Sequence, residues 1–128
     1  MIELFGPGDL RLTVVPAAVS LIGRRHQHWR DSPRSLLCGP GLAGVVIWGQ
    51  PEDIALRLGG EWLKCERGHL PVLVRPESIL WARAIRKGTQ IYIRGAGVML
   101  AEMAYNDLAK RLLNNPPACP PPDLDARR

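Results

Sequence analysis

The chain has 128 residues and a mass of 14.2 kDa, which is the size of one ordinary domain. Charged residues make up 23% and hydrophobic residues 46% of it, the mean hydropathy is −0.05, and no run approaches the ~20 apolar residues that span a bilayer. These values exclude an integral membrane protein, a wholly disordered chain, a coiled coil and a disulfide-rich mini-protein. The net charge of +5 is the one global indication of an anionic partner.

Turn residues divide the first part of the chain. Strand-forming runs at 3–5 and 10–15 flank Gly6-Pro7-Gly8-Asp9, which predicts a β-hairpin. Apolar residues at helical spacing after a proline predict a helix over 16–29. The glycine-rich stretch 35–44 predicts a loop, and it lacks the Lys-Ser/Thr ending of a phosphate-binding loop.

The middle of the chain favours a strand meander, with predicted strands at 45–48, 54–58, 61–65 and 70–74. As an alternative to the second of these, Pro51 opens a short helix that runs through Leu58. Residues 76–88 begin and end with residues typical of helix termini, but the apolar residues between them alternate as in a strand. The short turns on both sides favour a strand. Residues 90–94 predict a clearer strand.

A stripe of apolar residues with a polar opposite face predicts a C-terminal helix over 97–114. Five of the thirteen residues from 116 to 128 are Pro, which predicts a disordered tail. The whole pattern predicts one α+β domain over 1–115. We expect a mainly antiparallel sheet of about five to seven strands, packed with helix 16–29 and the C-terminal helix. No internal repeat is evident.

Two basic stretches carry more than the whole net charge. Residues 24–34 hold four Arg and one Asp, a net +3, and residues 75–94 hold five basic residues and one Glu, a net +4. Guanidinium groups beside aromatic rings bind phosphates and stack on bases, which indicates a nucleic-acid site. The alternatives are a solvated helix face and an Arg bias that follows from codon usage. The candidate nucleic-acid-binding residues are Arg24, Arg25, His28, Arg30, Arg34, Arg83, Arg86, Lys87 and Arg94.

Other chemistry has weaker signals. Cys65 and His69 form one loose pair without the second close pair of a structural zinc site, so no metal or other cofactor is expected. No nucleophile elbow or H-E-x-x-H motif occurs, so no catalytic residue is assigned and an enzyme is the less favoured class. Of the four Trp residues, most are expected in the core, and an exposed one would mark an interface.

These observations favour a small, basic, non-enzymatic binding protein with an Arg-rich face for nucleic acid or another polyanion. Two alternatives stay open. One is a protein-interaction or homo-oligomeric module that uses exposed Trp residues and sheet edges. The other is a small-molecule-binding protein or small enzyme with a pocket between sheet and helices, where Cys38 or a His would act. The first ten residues have no basic segment leading into an apolar one, so a cytoplasmic location and no membrane partner are expected.

Overall fold

The computed structural model describes residues 1–24, 33–67 and 70–114. Within these ranges the chain forms ten strands and two α-helices. The strands are β1 (Ile2–Gly6), β2 (Leu10–Val14), β3 (Leu21–Arg24), β4 (Arg34–Gly39), β5 (Leu42–Trp48), β6 (Leu63–Arg67), β7 (Leu70–Val74), β8 (Ile79–Ile85), β9 (Gly88–Ile93) and β10 (Gly97–Ala101). The helices are α1 (Pro51–Leu58) and α2 (Tyr105–Asn114), and two short 3₁₀ turns lie at Pro16–Ala18 and Pro76–Ser78.

Every strand pair of the described chain is antiparallel, which confirms the predicted mixed α+β class with an antiparallel sheet. The strands form a hairpin β1-β2, a five-stranded sheet of order β5-β4-β3-β7-β6, and a three-stranded sheet of order β10-β9-β8. The predicted number of five to seven strands is wrong, because stretches expected to form a helix or a loop are strands.

The chain runs twice through the same order of elements: a hairpin, a 3₁₀ turn, three more strands and a helix. Strand registers coincide as well. Adding 60 to the β3 numbers and 54 to the β4 numbers turns the pair Leu21↔Cys38 into Trp81↔Tyr92. Adding 54 to both members turns Leu37↔Val45 into Ile91↔Met99. The molecule therefore contains an internal repeat, although none was predicted from the sequence.

The repeat extends to a buried hydrogen bond. The Ser35 hydroxyl donates to the Gly49 carbonyl at 2.7 Å, and the equivalent Thr89 hydroxyl donates to the Met103 carbonyl at 2.6 Å. Both hydroxyl residues are buried, and each ties a central strand to the segment that leads into a helix. The two halves thus use the same device to position α1 and α2.

The β3–β7 pairing joins the two halves. On one side β1 packs against β5, and on the other the Glu102 N–H, just after β10, donates to the Glu66 carbonyl of β6 at 2.9 Å. These contacts set the three sheets side by side in the order β2-β1, β5-β4-β3-β7-β6 and β10-β9-β8, with strand ladders within each sheet. In this order β2 and β8 are the two end strands.

The central sheet has a hydrophobic core on each face, because successive side chains of a strand point to opposite faces. Ile22 and Leu73 are opposite in register and belong to a core that includes α1. Leu21 and Val74 are also opposite, and they belong to a second core that includes the three-stranded sheet and α2. Each half supplies most of one core and contributes a side chain to the other.

The predicted helix over 16–29 is wrong within the described residues. Pro16 starts a 3₁₀ turn of three residues, and β3 follows. Leu21, Ile22 and Gly23 are all buried, because β3 is central and covered on both faces. A strand buried on both faces loses its alternation and resembles a helical stripe. Residues 25–29 of that prediction lie outside the described part of the chain, as does the predicted tail over 116–128.

Two further elements differ from the expectation. The stretch 35–44 is not a loop but most of the β4–β5 hairpin, whose glycines supply a tight turn at Gly41 (φ +80°) and an irregularity in the ladder. The predicted helix over 97–114 is a strand followed by a helix that begins at Tyr105. The four consecutive apolar residues at 98–101 are compatible with a strand as well as with a helix. Residues 51–58 form the alternative helix, and 79–85 form the favoured strand.

Candidate functional site

A row of exposed apolar side chains crosses the outer face of the sheet β10-β9-β8. Trp81 lies opposite Tyr92, and Tyr92 lies opposite Val98. The two rings stack with centroids 5.7 Å apart and an interplanar angle of 25°. All three side chains are exposed, because the alternate residues of these strands face the second core. The exposed large apolar residues of this sheet are Leu80, Trp81, Ile85, Tyr92, Val98 and Leu100.

In the first half, the positions equivalent to Trp81 and Tyr92 are covered. Leu21 occupies the position of Trp81 and Cys38 that of Tyr92, and both pack into the second core. The exposed fraction is 9% at Leu21 and 42% at Trp81. Large contiguous apolar patches are uncommon on monomeric proteins and mark interaction sites. We call the row and its apolar neighbours on the three-stranded sheet the open face.

Basic side chains surround the open face. The Arg83 Nε donates to the Gln90 Oε1 at 2.6 Å, and the Arg83 guanidinium carbon lies 5.8 Å from the Trp81 ring centroid. Arg86 and Lys87 are exposed at the β8–β9 turn, and Arg94 is exposed just after β9. Four of the predicted nucleic-acid-binding residues therefore lie on this one sheet and its turns.

Of the other basic stretch, Arg24 lies at the end of β3 and Arg34 at the start of β4. The Arg34 guanidinium carbon lies 4.7 Å from the Trp48 ring centroid, and an Arg24 N–H donates to the Gln50 side-chain oxygen. The sequence between β3 and β4 corresponds in the repeat to that between β8 and β9, and both segments are rich in basic residues. The predicted residues Arg25, His28 and Arg30 lie outside the described part of the chain.

Arg75 belongs to the second basic stretch in sequence but is a core residue, only 5% exposed. Its guanidinium donates to the carbonyls of Val19 (2.9 Å), Gly59 (3.1 Å) and Pro16 (3.0 Å). The guanidinium carbon also lies 4.1 Å from the Trp62 ring centroid. Burial lowers the pKa of Arg75, and Glu77, 4.0 Å away, opposes that shift. Arg75 thus ties the two halves together and is unavailable to an anionic partner.

The described cysteines have the environment of structural residues. Burial raises the pKa of Cys65 to about 11, and it also raises the pKa of Cys38. Both thiols are therefore protonated at neutral pH and are poor nucleophiles and metal ligands. In the three described ranges, no group of three or more His, Cys, Asp or Glu residues is placed to hold a metal ion.

An open groove of about 440 Å³ runs between β6 and α2. Charged groups of both signs line the groove. Cys38, which was expected to act in a pocket between sheet and helices, does not line it. Its lining residues are Lys64, Glu66, Glu102, Met103, Ala104, Asp107 and Arg111. The groove has the polarity of solvated surface, whereas ligand pockets are mostly apolar.

The open face was mostly missed by sequence reasoning, which assigned Val98 and Leu100 to a helix and left Tyr92 unassigned. One signal was present: the strand 90–94 has apolar residues in both phases, Ile91 and Ile93 in one and Tyr92 in the other. Apolar residues in both phases are typical of strands that are covered on both faces, and in this strand the face with Tyr92 is exposed.

No protein-family model matches the chain, and no curated protein and no solved structure matches it either. Among the described helices, none is long and apolar enough to cross a membrane.

Proposed function

We propose that the protein is a non-enzymatic protein-interaction module that self-associates through the open face. The observation that supports this most directly is the difference between the two halves. The same position is covered by the other half of the chain at Leu21 and is exposed to solvent at Trp81.

The energy available at Trp81 alone is that of a residue that dominates an interface. An aromatic side chain of this size has roughly 150–250 Å² of surface. The exposed 42% of Trp81 is therefore about 100 Å², which corresponds to roughly 2.5 kcal/mol if it becomes buried. Stacked Trp and Tyr rings are typical of the residues that dominate binding energy in interfaces. The surrounding Arg side chains supply the polar rim that interfaces also have.

Sedimentation velocity over a range of protein concentrations tests this function. The wild-type chain is expected to sediment increasingly as an oligomer, and Trp81→Glu is expected to sediment as a monomer at the same concentrations. Leu56→Glu is the matched control, because Leu56 is an apolar residue on the exposed side of α1, away from the open face, with 83% of its surface exposed. A wild-type protein that stays monomeric, or a Trp81→Glu variant that associates like wild type, would contradict the proposal.

Binding of nucleic acid or another polyanion is the second candidate. It is favoured by the basic sequence between β3 and β4 and between β8 and β9, and by Arg83 and Arg94 beside a stacked aromatic pair. It predicts affinity for mixed DNA and RNA that falls steeply with salt. Charge reversal at Arg24, Arg25 and Arg30, or at Arg83 and Arg94, is expected to abolish that binding, whereas reversal at Arg57 on α1 is not. Absent or salt-independent binding would eliminate it.

A further inference from the structure

We propose that the partner is a second copy of this chain, and that β8 of one copy pairs antiparallel with β2 of the next. This pairing would repeat, between copies, the β3–β7 pairing that joins the two halves within one chain. The inference rests on the proposed function, since it takes the open face to be an interface, and it adds the edge, direction and register of that interface.

The β3–β7 junction supplies the template. Its register pairs are Leu21↔Val74, Ile22↔Leu73 and Gly23↔Val72, and the Arg75 N–H donates to the Ser20 carbonyl at 2.9 Å. By repeat equivalence β8 corresponds to β3, and β2 corresponds to β7. Each of these end strands pairs with a single neighbour in the described chain, β9 for β8 and β1 for β2. Each copy thus contains one complete junction, β3–β7, and also exposes the two equivalent strands, β8 and β2, without a partner for each other.

The residues on the β8 side are exposed, as expected for a junction whose second strand is absent. Trp81 is exposed where its equivalent Leu21 is covered. The helices show the same difference: α1 packs against β3 and β7, and its Leu58 is buried. The equivalent helix α2 packs against β8 and β9, and its Leu112 is half-buried. What α2 lacks is the strand that corresponds to β7, which a neighbour's β2 would supply.

The β2 side shows the complementary difference. Val72 and Leu73 of β7 are buried against β3. Their equivalents on β2 are Leu12, which is half-buried, and Thr13, which is exposed. Leu12, Thr13 and Val14 are uncharged, and they include no Pro that would block a further strand. The edge is therefore competent to pair.

The template fixes the register between copies. Adding 60 to the β3 numbers and subtracting 60 from the β7 numbers places Trp81 opposite Val14, Ala82 opposite Thr13, and Arg83 opposite Leu12. Trp81 would then cover the first core of the neighbouring copy, as Leu21 covers the second core within the chain. Contacts of this head-to-tail kind continue until a ring closes or a filament forms.

The contact between copies is expected to be weaker than the internal one. Arg75 holds the internal junction through three carbonyls, and its equivalent on the β2 side is Val15, which makes none of these bonds. Association should therefore be reversible and depend on concentration.

Disulfide cross-linking between chains that each carry one introduced cysteine tests the register. The background carries Cys38→Ala and Cys119→Ala and keeps the buried Cys65. Thr13→Cys and Ala82→Cys proteins are mixed under mild oxidation, and a covalent dimer is expected in the mixture and in neither protein alone. A mixture of Thr13→Cys with Ala84→Cys, two residues out of register, is the matched control and should cross-link several-fold more slowly.

The outcomes separate this inference from the proposed function. Association that depends on Trp81 but gives no 13–82 dimer overturns the β8–β2 pairing and leaves the interaction function standing. Absence of any association overturns both. A Thr13→Cys/Ala82→Cys double variant that forms its disulfide within a monomer also overturns the pairing between copies, since β2 and β8 would then close on each other.

Discussion

Replacing Arg75 with Met is the most informative perturbation of the fold. Met keeps the length and the apolar stem of the side chain but removes the guanidinium. Three hydrogen bonds are lost, and the carbonyls of Val19, Gly59 and Pro16 are left without this donor. The contact with the Trp62 ring is lost as well. Because these groups come from both halves of the chain, the change weakens the junction between them.

The magnitude follows from the burial of these groups. A hydrogen bond from a charged donor contributes about 1.5–3 kcal/mol, and an aromatic ring on a desolvated cation adds up to about 2 kcal/mol. Removal of the desolvation cost of a buried charge offsets part of this. We expect a net loss of about 3–4 kcal/mol in the free energy of unfolding, a large share of the roughly 5–15 kcal/mol that a domain has.

Urea unfolding followed by Trp fluorescence measures this loss. Arg83→Met is the matched control, because Arg83 is exposed and makes one side-chain hydrogen bond, to Gln90. It is expected to cost less than about 1 kcal/mol. An Arg75→Met protein within about 1 kcal/mol of wild type would refute the role of Arg75 as the tie between the halves.

Three further predictions concern the same framework. Gly95→Ala is expected to destabilise by more than Gly41→Ala in urea unfolding. Both residues have a positive φ, +78° and +80°, but a Cβ at Gly95 meets the backbone of the β4–β5 turn whereas one at Gly41 meets nothing within 4 Å. Equal losses would contradict that contact. Thr89→Val and Ser35→Ala should each cost about 1–2 kcal/mol, because each leaves a carbonyl unpaired at equivalent positions; a cost near zero for either would argue against the shared device. Native Cys65 should resist alkylation at about pH 8, because its pKa of about 11 keeps the thiol protonated, and mass spectrometry of the native protein checks this. Stability should fall as the pH rises above about 9, since the unfolded thiol releases its proton first, and a stability that rises there would contradict the raised pKa.

The sequence predicted well those elements whose signal is local. The first hairpin and the strands near 70–74 and 90–94 are bounded by turn residues, and the structure confirms them. Central strands gave a misleading signal. β3 is covered on both faces, so its apolar residues lost the period of a strand, and the helix predicted over 16–29 was wrong.

The repeat and the open face were not predicted from the sequence, because most equivalent positions of the two halves carry different residues. The two halves preserve register and burial while exchanging one apolar residue for another, as at Leu37 and Ile91. Identical residues are concentrated in the helices, where Asp53, Ala55, Arg57 and Leu58 of α1 recur as Asp107, Ala109, Arg111 and Leu112 of α2. Arg75 was counted only as a member of the basic stretch 75–94, because the carbonyls that hold it come from distant parts of the chain. Whether Trp81 is covered also depends on long-range pairing, which composition and period do not encode.

Hydrogen–deuterium exchange of the full chain at low and high protein concentration tests the central claim most directly. The head-to-tail pairing predicts that amides of β2 and β8 gain protection together as concentration rises, while those of the already paired β3 and β7 do not change. Protection of β2 and β8 that is the same at both concentrations would contradict it.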